Sequence, residues 1–183
     1  MQRKFKLIAA IVAASLAPAA AQAALVQWAG NGHWYEVILL PNVNWSTASA
    51  DAASRGGYLA TITSAGEQTF IQGLLTDNPS DSLEEYWIGG FQPAGSTEPG
   101  GGWQWVTGES FVYTNWGSGE PNNSGGTESH LALDDRYSWR WNDNTSTISG
   151  VINGYILEVP EPGTLALLGL SLAGLGFARR RKV

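Results

Sequence analysis

The chain has 183 residues, a formal net charge of −6, 43% hydrophobic side chains, nine tryptophans and no cysteine. This length suffices for one domain with a buried core and short terminal segments. The absence of cysteine excludes disulfides and cysteine-based zinc or redox sites. The tryptophans and 23 glycines favour short strands and long loops over a helical bundle.

Charge is distributed unevenly along the chain. Residues 1–23 carry three basic side chains and no acid, and residues 160–183 carry four basic side chains against Glu161. Residues 24–159 hold three arginines and fifteen acids, a formal charge of −12. Such a domain repels nucleic acid and anionic membranes and attracts cations. The same excess of acid also keeps an exported domain soluble, so charge alone leaves both interpretations open.

The N-terminal segment has the pattern of a secretory signal peptide. Basic residues at positions 3–6 precede the apolar run 7–17, and small residues follow at positions 21 and 23. This order predicts cleavage after Ala23, so that the exported chain begins at Ala24.

Two helices are predicted in the first half of the domain. The first extends from about Ser46 to Arg55, with Asn44 or Ser46 as its cap. The second begins at Ser64, and Glu67 three residues later completes a capping-box pattern. An apolar stripe at helical spacing follows and indicates a core-facing side: Phe70, Ile71, Leu74 and Leu75.

Short strand-forming runs separated by turn residues account for the rest of the domain. The last strand is expected to pair with the first and to tie the ends of the domain together. The sequence therefore predicts one α+β domain over about 30–159. The strand candidates are 33–40, 86–91, 103–107, 131–133, 139–141 and 155–159. The run 58–62 is short and buried-looking, and residues 111–116 lead into a loop rich in acids and amides.

An oxygen-rich loop occupies residues 116–128 and is followed by the tripeptide 141–143. Together they contain three carboxylates and several side-chain amides among glycines and a proline. Calcium takes six to eight oxygen ligands of these kinds. Histidine and cysteine are absent from the stretch, which makes zinc or copper a poor match. Polar residues also gather in ordinary turns, so composition alone leaves both possibilities open.

Five tryptophan-containing or acidic motifs occur in a fixed order along the domain, and this order resembles that of a C-type lectin domain over residues 30–159. The resemblance implies two helices, mostly antiparallel sheets and a long irregular loop region. The motifs are Trp87-Ile88-Gly89-Gly90, Trp103-Gln104-Trp105, Asn115-Trp116, Glu120-Pro121-Asn122 and Trp141-Asn142-Asp143.

The resemblance also implies a site for Ca²⁺ that binds sugar. It implies a cis peptide bond before Pro121, and its Glu-Pro-Asn tripeptide goes with mannose-, glucose-, N-acetylglucosamine- or fucose-like sugars. Trp139 is the tryptophan that we expect to contact a sugar, whereas the others are expected to serve as core or loop anchors. The implied metal ligands are Glu120, Asn122, Glu128, Asn142 and Asp143, of which the first four would also bind carbohydrate.

The sequence departs from the family pattern at its cysteines and at a second calcium site. Ala52 and Leu157 occupy the positions of one disulfide pair, where two apolar residues can pack instead, and His130 replaces another cysteine. The auxiliary calcium site of some relatives needs acids where this chain has Gly100, Asn123 and Ser129. We therefore expect that second site to be absent or weak.

The C-terminal segment resembles the PEP-CTERM sorting signal of Gram-negative bacteria. Pro160-Glu161-Pro162 precedes an apolar run over 164–178 and a basic cluster at 179–182. A straight transmembrane helix needs about 20 residues, so the run predicts a short span with its basic end in the cytoplasm. The resemblance implies cleavage by an exosortase and release to the cell surface or an extracellular polysaccharide matrix.

These observations predict a signal peptide (1–23), a C-type lectin-like domain (24–159) and a sorting segment (160–183). The first functional hypothesis is an exported calcium-dependent carbohydrate-binding protein. The alternative is a structural or protein-binding domain of the same fold without sugar binding. An enzyme is not expected, because the sequence lacks Gly-x-Ser-x-Gly and metal-histidine motifs and its two histidines, 33 and 130, lie far apart.

Overall fold

The structure, a computed structural model, describes residues 24–75, 83–146 and 151–161. The predicted signal peptide with its cleavage after Ala23 lies outside these ranges, and so do Pro162 and the predicted span 164–178. Of the helices in the described ranges, none is both long and apolar enough to cross a bilayer.

Helix α1 (Trp45–Ser54) begins where the sequence predicts a cap. The side-chain oxygen of Asn44 accepts a hydrogen bond from the backbone N–H of Thr47 at 2.8 Å. This bond satisfies one of the N–H groups that the first turn leaves without a helical partner. Of the two predicted caps, Asn44 is therefore the one used.

Helix α2 (Ala65–Gln72) begins after Ser64, whose hydroxyl accepts from the backbone N–H of Glu67 at 3.2 Å. The Glu67 carboxylate bonds one residue further back than a capping box predicts, because it accepts from the N–H of Thr63 at 2.8 Å. Its other oxygen accepts from the hydroxyl of Tyr35 at 2.6 Å, which draws the carboxylate toward the sheet.

The strands of the described ranges form one mixed sheet in the order β1-β2-β8-β4-β6-β7. Strand β3 pairs with β8, and β5 pairs with β4. Strands β4 and β8 are parallel, and the other pairs are antiparallel. The bounds are β1 Val26–Gln27, β2 Trp34–Leu39, β3 Tyr58–Leu59, β4 Glu85–Phe91, β5 Gln104–Trp105, β6 Glu128–Asp134, β7 Arg140–Thr145 and β8 Ile152–Val159.

The pairing of β2 with β8 confirms that the first and last long strands close the domain. It extends from Trp34 opposite Val159 to Leu39 opposite Gly154. The last strand of the chain thus lies beside β2, and the long loops between β4 and β6 connect two neighbouring strands on the other side of β8.

The segment 111–116, which leads into the oxygen-rich loop, is not a regular strand, and within the described ranges it pairs only at an isolated bridge between Trp116 and Trp141. Its aromatic side chains do not alternate between two faces. The rings of Phe111, Tyr113 and Trp116 all lie 5.7–5.8 Å from the ring of Trp141. The segment therefore wraps around one buried indole, and this contact replaces the regular pairing of a strand.

Buried side chains form two clusters, one around Trp141 beside α2 and one around Trp87 beside α1. Ala52 and Leu157 both lie in the second cluster and are 0% and 2% exposed. Apolar packing therefore occupies the place of the missing disulfide, as expected. Four of the tryptophans that were expected to be anchors are buried, which agrees with a role in the core: Trp87, Trp103, Trp105 and Trp141. Trp139, the expected sugar contact, is buried as well.

Candidate functional site

The oxygen-rich loop leaves the sheet beside β7 and returns as β6. Trp141 fixes its departure, because its carbonyl accepts from the N–H of Gly117 at 2.8 Å and its own N–H donates to Asn115 at 2.9 Å. The peptide bond between Glu120 and Pro121 is cis, as the resemblance to C-type lectins implies. The loop thus begins from a buried, hydrogen-bonded position on the sheet.

Asp143 holds the tip of the loop against β7. Its carboxylate is fully buried, and its two oxygens accept from the backbone N–H groups of Asn122 at 2.9 Å and Asn123 at 2.7 Å. Charge-assisted bonds to backbone N–H groups are strong, so this residue orders the loop as well as carrying negative charge. Asn122 itself has an exposed side chain.

Glu128 closes the other end of the loop. Its carboxylate accepts from the N–H of Ser124 at 2.6 Å, and its own N–H donates to the amide oxygen of Asn123 at 3.0 Å. The side chain of Asn123 therefore stabilises the turn between residues 123 and 128 by an internal hydrogen bond. The sequence pattern indicates no such role for Asn123, which stands where the auxiliary calcium site of some relatives needs an acid.

Glu120 is held from the side by a residue that sequence reasoning missed. The hydroxyl of Tyr137 donates to its Oε1 at 2.7 Å. Its other oxygen, Oε2, is buried and has no hydrogen-bond partner in the described part of the chain. Tyr137 and Glu120 lie 17 residues apart, and nothing in that spacing indicates a contact between them.

Electrostatics shows that these three acids lie close to one another. Burial raises the pKa of Glu120 and of Glu128 above the ordinary glutamate value, and the negative charge of Asp143 adds to both rises. Like charges that share a desolvated site repel each other unless a proton or a cation compensates them. An unpartnered buried oxygen on Glu120 and mutual repulsion of three carboxylates both fit a hard divalent cation.

Asn142 does not converge with this set. Residues 141 and 143 point to one side of β7, whereas residue 142 points to the other because side chains alternate along a strand. The Asn142 amide is 6% exposed and donates to Glu85 at 3.4 Å, beside Asn144. The structure therefore groups Glu120, Glu128 and Asp143, and the side chain of Asn142 lies elsewhere.

Trp139 is placed in the core and not at the rim of the site. It is 8% exposed, its ring lies 5.9 Å from that of Tyr86, and its carbonyl accepts from the side chain of Gln68 at 2.9 Å. The backbone at Trp139 is left-handed, with a φ of 60°. Because no open face is left for a sugar ring, we drop Trp139 from the carbohydrate-binding set.

Comparison with known proteins identifies the domain. The model of the lectin C-type domain matches residues 42–151. The chain belongs to the C-type lectin family. The PEP-CTERM protein-sorting motif matches residues 158–182, which supports export of this lectin-like protein.

Relatives of known sequence or structure agree with this assignment. Ladderlectin of Oncorhynchus mykiss is 36% identical over 123 residues, which cover 65% of this chain and 62% of ladderlectin. The mouse scavenger receptor C-type lectin carbohydrate-recognition domain superposes with a TM-score of 0.59 at 25% identity, covering 75% of this chain and 96% of that domain. A calcium-independent type II antifreeze protein shares the fold at 23% identity and a TM-score of 0.58, with 75% and 96% coverage.

Calcium would need more than the acids of this lectin-like domain. Within the described ranges, no three His, Asp or Glu side chains are already arranged to hold a metal ion. An ion between Glu120, Glu128 and Asp143 would therefore also use the amide oxygen of Asn122 and backbone carbonyls, which are ordinary calcium ligands.

His130, at a former cysteine position, is partly buried, and its ring lies 4.6 Å from that of Trp45. Burial lowers the pKa of the imidazole to about 4, so His130 is neutral at neutral pH.

Proposed function

We propose that this protein is an exported lectin that binds mannose-type saccharides in the presence of calcium. The observation that carries the proposal is the loop around cis-Pro121. Asp143 fixes this loop, and the buried Oε2 of Glu120 has no hydrogen-bond partner among the residues that the structure describes. We assign Glu120, Asn122, Glu128 and Asp143 as metal ligands. Catalysis is not part of the proposal.

The chain's own residues account for sugar selectivity in this proposal. The ion, when bound, supplies open coordination positions for two adjacent sugar hydroxyls. Each hydroxyl then donates its proton to a carboxylate, such as Glu120, and accepts an N–H from an amide, such as Asn122. The order of acceptor and donor around the ion selects mannose, glucose, N-acetylglucosamine or fucose over galactose.

Export follows from the two ends of the chain in the same proposal. Residues 1–23 are removed on export, 164–178 anchor the protein briefly in the inner membrane, and an exosortase cleaves near Pro160-Glu161-Pro162. The lectin domain over 24–159 then acts at the cell surface or in a polysaccharide matrix. The match to the sorting motif supports this route. Intact-mass measurement of the secreted protein would give both of its ends.

A second candidate is a structural or protein-binding lectin-like domain. The orientation of Asn142 toward Glu85 favours it, because one amide of the family pattern does not reach the loop. A calcium-independent antifreeze protein also has this fold. Fold alone does not decide between these functions.

Affinity chromatography separates the two candidates. The full chain, purified in mild detergent, is applied to densely substituted mannose-agarose, because a single shallow site binds weakly and multivalency raises retention. We expect retention in 5 mM CaCl₂ and release by EDTA or free mannose. Retention that survives EDTA would contradict the calcium mechanism, and failure to bind any of the four sugars would favour the second candidate.

A double variant tests selectivity in the same experiment. Glu120→Gln with Asn122→Asp exchanges acceptor and donor, so retention should shift from mannose-agarose to galactose-agarose. Glu109→Gln makes the same change of one carboxylate in an exposed loop and should leave mannose retention unchanged. An unshifted preference in the double variant would show that these two residues do not set selectivity.

A further inference from the structure

A groove lies beside α2, and it is formed by residues other than the proposed calcium ligands. The oxygen-rich loop that carries most of those ligands is called the calcium loop below. The volume of the groove is about 460 Å³, and it is lined by the side of α2 that carries Gln68 and Gln72 together with Tyr113, Asn115, Ser138 and Arg140. This volume falls within the range of about 300–1,000 Å³ that is typical of small-molecule sites. None of the four proposed calcium ligands lines it.

Side-chain hydrogen bonds from α2 hold the walls of the groove in place. The side chain of Gln68, which is 3% exposed, donates to the carbonyl of Trp139 and accepts from the indole N–H of Trp141 at 2.7 Å. Gln72 donates to the carbonyl of Ser138 at 2.9 Å. These bonds fix the turn at 138–139 against α2, so the groove is preformed.

The groove contains one charged lining residue, Arg140, within a domain rich in acids. The other two arginines of the domain are paired, Arg55 with Asp51 and Arg136 with Glu85 and Asp134. Arg140 forms no ion pair with any acid of the described ranges. It lies close enough to Tyr113 to lower the pKa of that phenol, against a larger rise from burial.

The remaining lining groups suit a polyhydroxylated ligand. Asn115 and Gln72 offer amides, Ser138 and Tyr113 offer hydroxyls, and the Tyr113 ring offers an apolar surface. Guanidinium groups recognise carboxylates through two parallel N–H···O bonds. An acidic peptide would meet the same cation, but it would leave most of these amides and hydroxyls without partners.

We propose that this groove is a calcium-independent binding site for acidic saccharides, in which Arg140 binds the carboxylate of a hexuronate. The site is separate from the calcium loop and does not rest on the proposed function. A chain with both sites would hold a mixed neutral and acidic polysaccharide at two points.

The test is calorimetric titration of the full chain in mild detergent and EDTA, with trigalacturonate as the probe. EDTA removes Ca²⁺, so the calcium loop does not contribute to the titration. A failure to bind trigalacturonate is therefore distinguishable from a failure of mannose retention. We expect binding that weakens at least tenfold in Arg140→Gln, because one charged pair of hydrogen bonds is lost. Arg55→Gln, with the same charge change at the residue that follows α1, should stay within twofold of the unmodified chain.

Two further probes define the ligand class. The trimethyl ester of trigalacturonate keeps the rings without the charge and should bind at least tenfold more weakly. Tetraglutamate carries carboxylates without sugar rings and should also bind at least tenfold more weakly. Equal affinity for tetraglutamate would overturn the assignment to saccharides, and equal affinities of Arg140→Gln and Arg55→Gln would overturn the role of Arg140.

A measurement on the unmodified chain guards against a variant that fails to fold. In ¹H–¹⁵N spectra recorded during titration with trigalacturonate, the side-chain signals of Gln72 and Arg140 should shift, and the backbone signal of Asn122 should not. Shifts confined to residues 120–128 would overturn the proposal.

Discussion

Tyr137 connects a short helical turn to the proposed calcium loop. Its hydroxyl donates to Oε1 of Glu120, and its ring lies against Gly117, where an added Cβ would come within 2.5 Å of it. A hydrogen bond of this kind orients a metal ligand without touching the metal. Tyr137 is therefore a positioning residue for Glu120.

Replacing Tyr137 with Phe should weaken calcium binding about tenfold, because outer hydrogen bonds to metal ligands typically contribute this much or more. The ring packing against Gly117 is retained, so the unfolding transition in EDTA should move little. Calcium affinity is measured by calorimetric titration of the full chain in detergent. Tyr113→Phe removes a phenol from the groove beside α2 and should leave calcium affinity unchanged; an equal loss in both variants would refute the role of Tyr137.

At the level of single residues, sequence motifs predicted the acids but not their surroundings. Glu120, Glu128 and Asp143 lie close enough together for the negative charge of Asp143 to raise the pKa of both glutamates. The direction of Asn142 depends on which face of β7 carries Trp141, and its partner Glu85 lies 57 residues away in the sequence. The burial of Trp139 depends on a left-handed turn at a non-glycine residue, which no sequence pattern at that position indicates.

Helix α2 has only eight residues, so its ends matter more than its length. It contributes Gln68 and Ile71 to the buried side of the domain, and both are 3% exposed or less. The cap at Ser64 fixes where this helix begins. Gln68 accepts a hydrogen bond from the indole of Trp141, which holds the start of the calcium loop. The position at which α2 begins therefore also positions the wall of the groove and the start of the loop.

Ser64→Ala should lower the free energy of unfolding by about 1 kcal/mol, the usual effect of removing a side-chain cap. The lost acceptor leaves the N–H of Glu67 to water, and the rest of the helix can remain intact. Urea unfolding followed by tryptophan fluorescence measures the change. Ser110→Ala in an exposed loop should stay within about 0.5 kcal/mol of the unmodified chain, and an equal loss there would contradict the capping argument.

Elements with a local cause were predictable from the sequence, and elements with a distant cause were not. Both helices begin at their predicted caps because Asn44 and Ser64 bond N–H groups only three residues away. The segment 111–116 has the composition of a strand, yet it coils because Trp141 draws its aromatic rings to one side. The strand propensity of a segment does not include contacts with residues that are distant in the sequence.

On the scale of the whole molecule, topology and charge act together. The pairing of β2 with β8 closes the domain and stabilises the sheet that supports the calcium loop and the groove beside α2. Two arginines of the domain form ion pairs with acids that are buried or nearby in the sequence. Most of the fifteen acids between residues 24 and 159 therefore have no arginine partner in the described ranges. Such an excess of negative charge disfavours the compact state and makes cation binding favourable.

Calcium should therefore stabilise the folded chain through the loop. For the dissociation constants of about 10⁻⁴–10⁻³ M that are typical of extracellular modules, 10 mM CaCl₂ adds about 1.4–2.7 kcal/mol to the free energy of unfolding. For a domain of this size the midpoint of thermal unfolding then rises by about 3–10 °C. Differential scanning fluorimetry in EDTA and in CaCl₂ measures the shift, and 10 mM MgCl₂ controls for screening of the acidic surface.

The variant Glu120→Gln separates the loop from the remaining acids. Glutamine keeps an oxygen that can accept from Tyr137, so the variant should fold in EDTA with nearly the same midpoint. Its calcium-induced shift should fall to the small value seen with magnesium, because the oxygen that has no partner in the described ranges no longer carries charge. A full calcium shift in this variant would place the ion elsewhere on the acidic domain, and equal shifts with calcium and magnesium in the unmodified chain would reduce the effect to general charge screening.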